Sequence, residues 1–197
     1  MEDSRRPVGS TWCSAGGLHL QVPKGHKIRP TADQVREAIF NILASRFALT
    51  DIAVLDLFAG TGALGIEALS RGARSAVFVD ASPEAQRMIR ANLNTTGLRR
   101  QGRVIRAYAP KGIKVAEEQR LRFGGVFLDP PYGEGWVEKT LRLLAHSAIL
   151  ESEAWIVVEH GQQEEAAESY PPLVLTDRRR YGTTGVSFYQ RQGEEAE

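Results

Sequence analysis

The chain has 197 residues, a mass of 21.7 kDa, 42% hydrophobic and 25% charged residues, and a formal net charge of +1. That length supports one domain with a complete core and a short extension, without metal or disulfide staples, and a near-average composition excludes a disordered, collagen-like or coiled-coil protein. A single cysteine, Cys13, excludes an internal disulfide framework and a four-cysteine zinc site, and no run approaches the roughly 18 apolar residues of a membrane helix.

Residues 1–30 carry Gly9, Gly16, Gly17, Gly25, Pro7, Pro23 and Pro30 around one strand-like run, Leu18–Val22. They read as an extension or hairpin with no core of its own. No apolar stretch follows the charges of Met1–Pro7, so no signal peptide is expected, and the chain is expected to work in the reducing cytoplasm. Thr31-Ala-Asp-Gln34 has the spacing of a capping box, and Val35, Ile39, Ile42 and Leu43 recur at helical spacing, predicting a helix to about Arg46. Strand and helix signals then alternate. Ile52–Phe58 is apolar and ends in a glycine loop; Ala63–Ser70 reads as a helix and Ser75–Val79 as a strand. Ser82-Pro83-Glu84 opens a helix with a cap, a proline at its first position and an acid in its first turn. Arg103–Ala107 and Gly125–Leu128 read as strands with a helix between them, Trp136–Ala145 as an amphipathic helix, and Ala154–Glu159 as a buried strand. Leu173–Thr176 and Val186–Gln190, flanking Gly182 and Gly185, read as an antiparallel pair. Such alternation requires a parallel sheet covered by helices on both faces. The expected architecture is α/β: a seven-stranded, mostly parallel sheet with a C-terminal antiparallel strand. The expected division is an extension over 1–30, one domain over 31–191 and an acidic tail over 192–197.

The near-zero net charge conceals segregation. No acid occurs from Ser4 to Ala32, which holds Arg5, Arg6, Lys24, Lys27 and Arg29, or from Ala85 to Ala116, which holds six arginines and two lysines. A basic face of this kind can neutralise phosphates while the total stays small, although solvated helix faces explain the arginines equally well.

Gly60, Gly62 and Gly65 stand in GxGxxG spacing between a strand and a helix, with Asp80 twenty residues after Gly60, where a carboxylate can accept both ribose hydroxyls. That arrangement suits a dinucleotide or S-adenosylmethionine. Asp56 favours the second, because a carboxylate at the strand end repels a pyrophosphate and attracts the ammonium of a methionine moiety. The competing reading of Asp56 is a cap on the following loop. Phe58, Thr61 and Ala81 flank the same elements and complete the candidate cofactor set. After the next strand, Val104–Pro110 contains no acid to accept from an adenine amine, so a backbone carbonyl or packing against Tyr108 must hold that ring.

Val126-Phe-Leu-Asp-Pro-Pro-Tyr132 is the most specific motif. A strand ends in Asp129, and Pro130 and Pro131 remove two backbone donors and stiffen the turn. The result is an acceptor-only corner, matched to the two N–H donors of a planar exocyclic amine. Accepting from that amine localises its lone pair, and Asp129 stabilises the developing cationic nitrogen by several kcal/mol. Tyr132 offers a ring on which a flipped base can stack, worth about 1–3 kcal/mol. His160 and Glu159 lack metal spacing and read as structural, and Cys13 has no activating neighbour in sequence. No metal site is expected.

Arg29-Pro-Thr-Ala-Asp-Gln-Val-Arg-Glu-Ala-Ile-Phe-Asn41, Asp56-Leu-Phe-Ala-Gly-Thr-Gly62, Asp129-Pro-Pro-Tyr132 and Arg180-Tyr-Gly-Thr-Thr184 follow one another in an order that resembles the bacterial 16S ribosomal RNA (guanine(966)-N(2))-methyltransferases, the RsmD family, over about Gly16–Tyr189. The resemblance implies a class I methyltransferase fold, with Asp56, Gly60, Gly62 and Asp80 at S-adenosylmethionine and Asp129, Pro130 and Tyr132 at the guanine amine. It implies 16S ribosomal RNA, free or in an assembling small subunit, as partner, and Arg5, Arg6, Lys24, Lys27 and Arg29 are the favoured RNA-binding candidates because the extension is expected to have no core role. The chain departs from the family at Ser14-Ala-Gly-Gly-Leu-His19, where members carry a basic hairpin, and at Tyr108, where they carry an acid. The rivals are a DNA adenine-N6 methyltransferase, which would need an added recognition region, and a non-catalytic nucleotide-binding module, which leaves Asp129–Tyr132 without a purpose.

Overall fold

The computed structural model describes residues 11–15, 18–22, 30–164 and 166–193. Strands β1 (Thr11–Ala15) and β2 (Leu18–Val22) form an antiparallel hairpin ahead of helix α1 (Pro30–Arg46). The body then alternates: β3 (Ala53–Leu57), α2 (Ala63–Ser70), β4 (Ser75–Asp80), α3 (Pro83–Thr95), β5 (Gly102–Arg106), α4 (Ala109–Glu118), β6 (Phe123–Leu128), α5 (Trp136–Ala145) and β7 (Leu150–Gly161). It closes with β8 (Ser169–Tyr170), β9 (Leu173–Tyr181) and β10 (Thr184–Arg191).

These strands form one sheet in the order β5-β4-β3-β6-β7-β10-β9-β8. The first five are parallel and the last three antiparallel to their neighbours. The expected α/β architecture with a mostly parallel sheet is therefore present, with eight strands instead of seven. The addition, β8, spans only two residues, too few for any periodicity to register in sequence. Among the described residues no helix is long and apolar enough to cross a membrane.

Alternation along each strand divides the core. Leu55, Leu57, Val77, Val79, Val126 and Leu128 point to the face covered by α4 and α5. Val54, Ala76, Phe78, Phe127, Trp155 and Val157 point to the face covered by α1, α2 and α3. On that second face Phe127 packs edge-on to Trp155 at 5.1 Å and against Phe40 of α1 at 5.5 Å. Gly125 lies in register with Trp155, and any Cβ there would enter the indole.

The hairpin revises the expectation that the first thirty residues have no core role. Leu20 of β2 is fully buried in the cluster that contains Val35, Ile39 and Leu43 of α1. The tail from residue 194 and the candidate RNA-binding residues Arg5, Arg6, Lys24, Lys27 and Arg29 lie outside the described residues. Burying one leucine anchors the hairpin, and removing it leaves a cavity. Leu20→Ala should therefore lower stability by about 2–4 kcal/mol in urea denaturation, whereas a loss under 1 kcal/mol would show that the hairpin does not dock.

Candidate functional site

Strand order reverses where β3 meets β4 on one side and β6 on the other, and such a switch point opens a crevice beyond the carboxyl ends of the strands. Leu57 pairs with Val79 and with Leu128, and Leu128 pairs with Val158. Carried one residue further, this register sets Asp80, Phe58, Asp129 and Glu159 side by side along one end of the sheet. A cleft of about 550 Å³ opens there, lined at one end by Asp80, Ala81 and Tyr108 and at the other by Asp129, Pro130, Pro131 and Tyr132. Phe58 and Trp136 form its apolar wall, their rings edge to face at 5.8 Å.

The glycine loop is held from behind. Gly60 and Gly62 adopt φ of 54° and 78°, a region that costs an L side chain strain, and the turn closes through Gly62 N–H on Ala59 O at 2.6 Å. Buried Asn92 of α3 donates to the Thr61 carbonyl at 2.9 Å. Asp80 accepts the Gly60 amide at 2.9 Å and the Ser82 amide at 2.8 Å, one on each oxygen. A carboxylate has about four acceptor positions, so each oxygen keeps one for a ligand hydroxyl. Tyr108, 70% exposed on the same rim, presents a bare ring.

The carboxylates have little compensation. Burial, reinforced by the Asp80 charge and opposed by the Gly65 amide, pushes the Asp56 carboxyl up to about 8. Asp129 is open to the cleft on one side and walled by protein on the others. That enclosure, followed by the charges of Glu159 and Asp56, holds its carboxyl well above the usual range. Burial also raises Glu159, against the Tyr132 hydroxyl and the Arg36 guanidinium. Arg36 is itself paired with Asp33 at 2.8 Å. A cationic occupant would be stabilised by drawing these groups into their ionised form, whereas a pyrophosphate would meet only further repulsion.

A family model, Conserved hypothetical protein 95, matches residues 13–190. The chain belongs to this family. It is 39% identical over 180 residues to "Putative rRNA methyltransferase YlbH" of Bacillus subtilis, covering 91% of this chain and 97% of the relative. It is 34% identical over 190 residues to Ribosomal RNA small subunit methyltransferase D of Escherichia coli K12, covering 96% and 91%. Among solved structures, "Putative methyltransferase yhhF from Escherichia coli" superposes with a TM-score of 0.78 at 31% identity, covering 92% of this chain and 97% of that one. The family is the one whose motifs the sequence resembles, and the sheet is that of the class I methyltransferases.

Within this family fold, the expected residues divide into two sets. Phe58, Asp80, Ala81, Tyr108, Asp129, Pro130, Pro131 and Tyr132 line the cleft. Asp56, Gly60, Thr61 and Gly62 are not among the lining residues, Asp56 and Gly62 being buried and Gly60 exposed. Asp56 is 2% exposed, and its Oδ2 accepts the Gly65 amide at 2.9 Å, which is the loop-capping reading of this residue. Four contributors escape the sequence reading. Trp136 and Glu134 enter the cleft because α5 begins just after Gly133 and Gly135, both with positive φ. Glu159 takes the Tyr132 hydroxyl at 3.1 Å from a strand 27 residues away, and Thr184 at the Arg180–Thr184 hairpin bonds the same hydroxyl. The Tyr132 ring also rests on Gly161, where a Cβ would sit 3.4 Å away. His160 is structural as expected, its Nε2 2.9 Å from Ser187 Oγ.

The Asp56 environment has a pH signature. A carboxyl raised from the ordinary 3.8 to about 8 favours the fold while protonated, so its contribution is complete below about pH 4 and is lost as pH rises toward 8. Asp56→Asn removes that loss and keeps an oxygen for the Gly65 amide. The variant should gain on the wild type by more than about 1 kcal/mol between pH 5 and pH 8 in paired denaturation series. A constant difference across that range would show that Asp56 ionises normally.

Proposed function

We propose that this protein transfers a methyl group from S-adenosylmethionine to the exocyclic N2 amine of a guanine in small-subunit ribosomal RNA. The supporting observation is one continuous cleft that joins a hydroxyl-accepting, ring-presenting end (Asp80, Tyr108) to an acceptor-only corner (Asp129–Tyr132). The names of the curated relatives place them in ribosomal RNA methylation. The N2 position rests on the resemblance and on the chemistry of the corner.

The residues present suit this cofactor. Asp80 keeps acceptor positions for ribose hydroxyls, Tyr108 offers a face to adenine, and Phe58 and Trp136 supply apolar surface. The surrounding carboxylates favour a sulfonium and an ammonium over a phosphate. When bound, the cofactor supplies an electrophilic methyl group. Asp129 then accepts from the amine, confines its lone pair to nitrogen, and opposes the positive charge that develops there; a preorganised acceptor of this kind is worth about 3 kcal/mol. Pro130 and Pro131 keep donors out of the corner, so nothing competes for the lone pair. Tyr132, 45% exposed and held at its hydroxyl by Glu159, provides the stacking surface for a base turned out of its helix. Asp129 retains its raised affinity for a proton until a cationic occupant lowers it.

The DNA-modifying alternative is disfavoured by the short path from β6 to α5, Asp129–Gly135, which leaves no room for a recognition insert. Asp129→Asn should lower kcat on small-subunit ribosomal RNA by about 10²–10³-fold, while affinity for S-adenosylhomocysteine stays within about threefold. Labelled methyl transfer followed by nucleoside mass analysis reads the first, and calorimetry the second. Equal loss of both would place Asp129 in the cofactor site, and methylated adenine in DNA would replace the substrate. S-adenosylhomocysteine should also raise the wild-type melting temperature and NAD should not; the opposite pattern would remove the methyltransferase reading.

A further inference from the structure

The acid-free stretch from Ala85 to Ala116 wraps around the β5 edge of the sheet: α3 covers one face there, the turn and edge strand β5 form the edge, and α4 covers the opposite face. Helix α3 lies against β5, and α4 lies against the neighbouring β4, so these cations share one end of the sheet. All eight are exposed: Arg87 and Arg90 on α3, Arg99 and Arg100 in the turn, Arg103 and Arg106 on β5, Lys111 and Lys114 on α4. None makes an ion pair with a described residue. Several surface arginines elsewhere are paired with acids, Arg46 with Asp177, Arg71 with Glu67, Arg74 with Asp51 and Arg142 with Glu138, whereas Arg120 and Arg122 just beyond the stretch are exposed without an ion pair to a described residue.

Two simpler accounts cover only part of this. Charges on an edge strand prevent it from pairing with another chain, which explains Arg103 and Arg106. That argument does not reach α3 or α4, whose backbones are already paired within their helices. Solvation explains single arginines, but it gives no reason for the missing acids. Lys111 lies in the first turn of α4, which has no acid there, so its charge opposes the positive end of the helix dipole. Uncompensated charge of one sign costs stability unless something of the opposite sign binds it.

The patch also borders the cleft. Arg106 pairs in register with Asp80, Tyr108 follows it at the rim, and Ser82, the cap of α3, lies on the same rim. We propose that this β5-edge face grips the phosphodiester backbone of the RNA whose base enters the cleft. The proposal rests on the reading of the protein as an RNA methyltransferase and assigns it a second contact surface, apart from the catalytic corner. Phosphate oxygens match the patch in charge, and arginine forks match them in geometry. The cations sit beside the cleft rather than inside it, so they hold backbone and leave base choice to the corner.

The test compares the wild type with a quadruple variant, Arg87→Gln, Arg90→Gln, Lys111→Gln and Lys114→Gln, and a control, Arg74→Gln with Arg142→Gln. Each is titrated against naked small-subunit ribosomal RNA over a salt series, and against S-adenosylhomocysteine. Each lost phosphate contact lowers the slope of log affinity on log salt by about 0.7–0.9. The quadruple variant should therefore lose roughly three units of slope and bind at least tenfold more weakly at low salt, with unchanged cofactor affinity and an unchanged melting curve. The control should behave as wild type. An unchanged slope in the quadruple variant overturns the proposal. A loss seen with intact small subunits but not with naked RNA also overturns it, since the face would then meet ribosomal protein. If the wild type neither binds nor methylates RNA while binding the cofactor, the functional reading fails instead.

Discussion

Parallel pairing of β4, β3, β6 and β7 in a single register is the constraint from which the site follows, because it delivers the last residue of each strand to the same edge. That edge carries Asp80, Phe58, Asp129 and Glu159, with Asp56 buried just beneath. Three of these carboxyls are held above their ordinary range by burial and by one another, and Arg36 is the cation that relieves Glu159. Low-dielectric walls and repelling charges make the edge expensive when vacant and receptive to a cation. The glycine loop, the proline corner and the aromatic wall are then ways of shaping space around that electrostatic fact. No single residue creates it; a one-residue slip in any pairing would send a carboxylate to the wrong face of the sheet.

Much of this was legible in the residues because parallel sheets announce themselves. Buried strands need apolar runs, the runs alternate with helical periods, and the loops between them carry glycine or proline at fixed places, so β3, β4, β6 and the catalytic turn could be placed from local pattern alone. The motif Asp129-Pro-Pro-Tyr132 is chemically narrow enough that its corner could be inferred without coordinates. What escaped depends on the third dimension. Glu159 reads as one acid in a strand until the sheet sets it beside Tyr132. Trp136 reads as the start of an amphipathic helix until two positive-φ glycines turn it into the cleft. Asp56 shows how local partners become visible only in three dimensions: its charge suggests a ligand contact, and the fold adds burial and the Gly65 amide on one oxygen. Leu20 sits among glycines and prolines whose composition resembles a tail, and only docking against α1 reveals its role.

The molecule separates its charges by task. Acids converge on the sheet end where bonds change, and cations gather on the β5 side. The small net charge of +1 is the sum of two opposed fields, each strong where it acts. The turn between the antiparallel strands β9 and β10 leads to Thr184, which bonds the Tyr132 hydroxyl. Under the proposed function, recognition of backbone, base and methyl donor would occupy adjoining but distinct stretches of one surface.

Phe58 carries a consequence of a different kind. Its backbone sits at a φ of 59°, a conformation that costs a bulky residue of order 1–3 kcal/mol, while its ring faces Trp136 across the cleft wall. Glycine or asparagine would relax the chain and erase the wall; any large apolar residue keeps the wall and inherits the strain. Relaxing the backbone at this position therefore works directly against the wall that the same residue builds, so stability and cleft shape trade against one another at a single side chain.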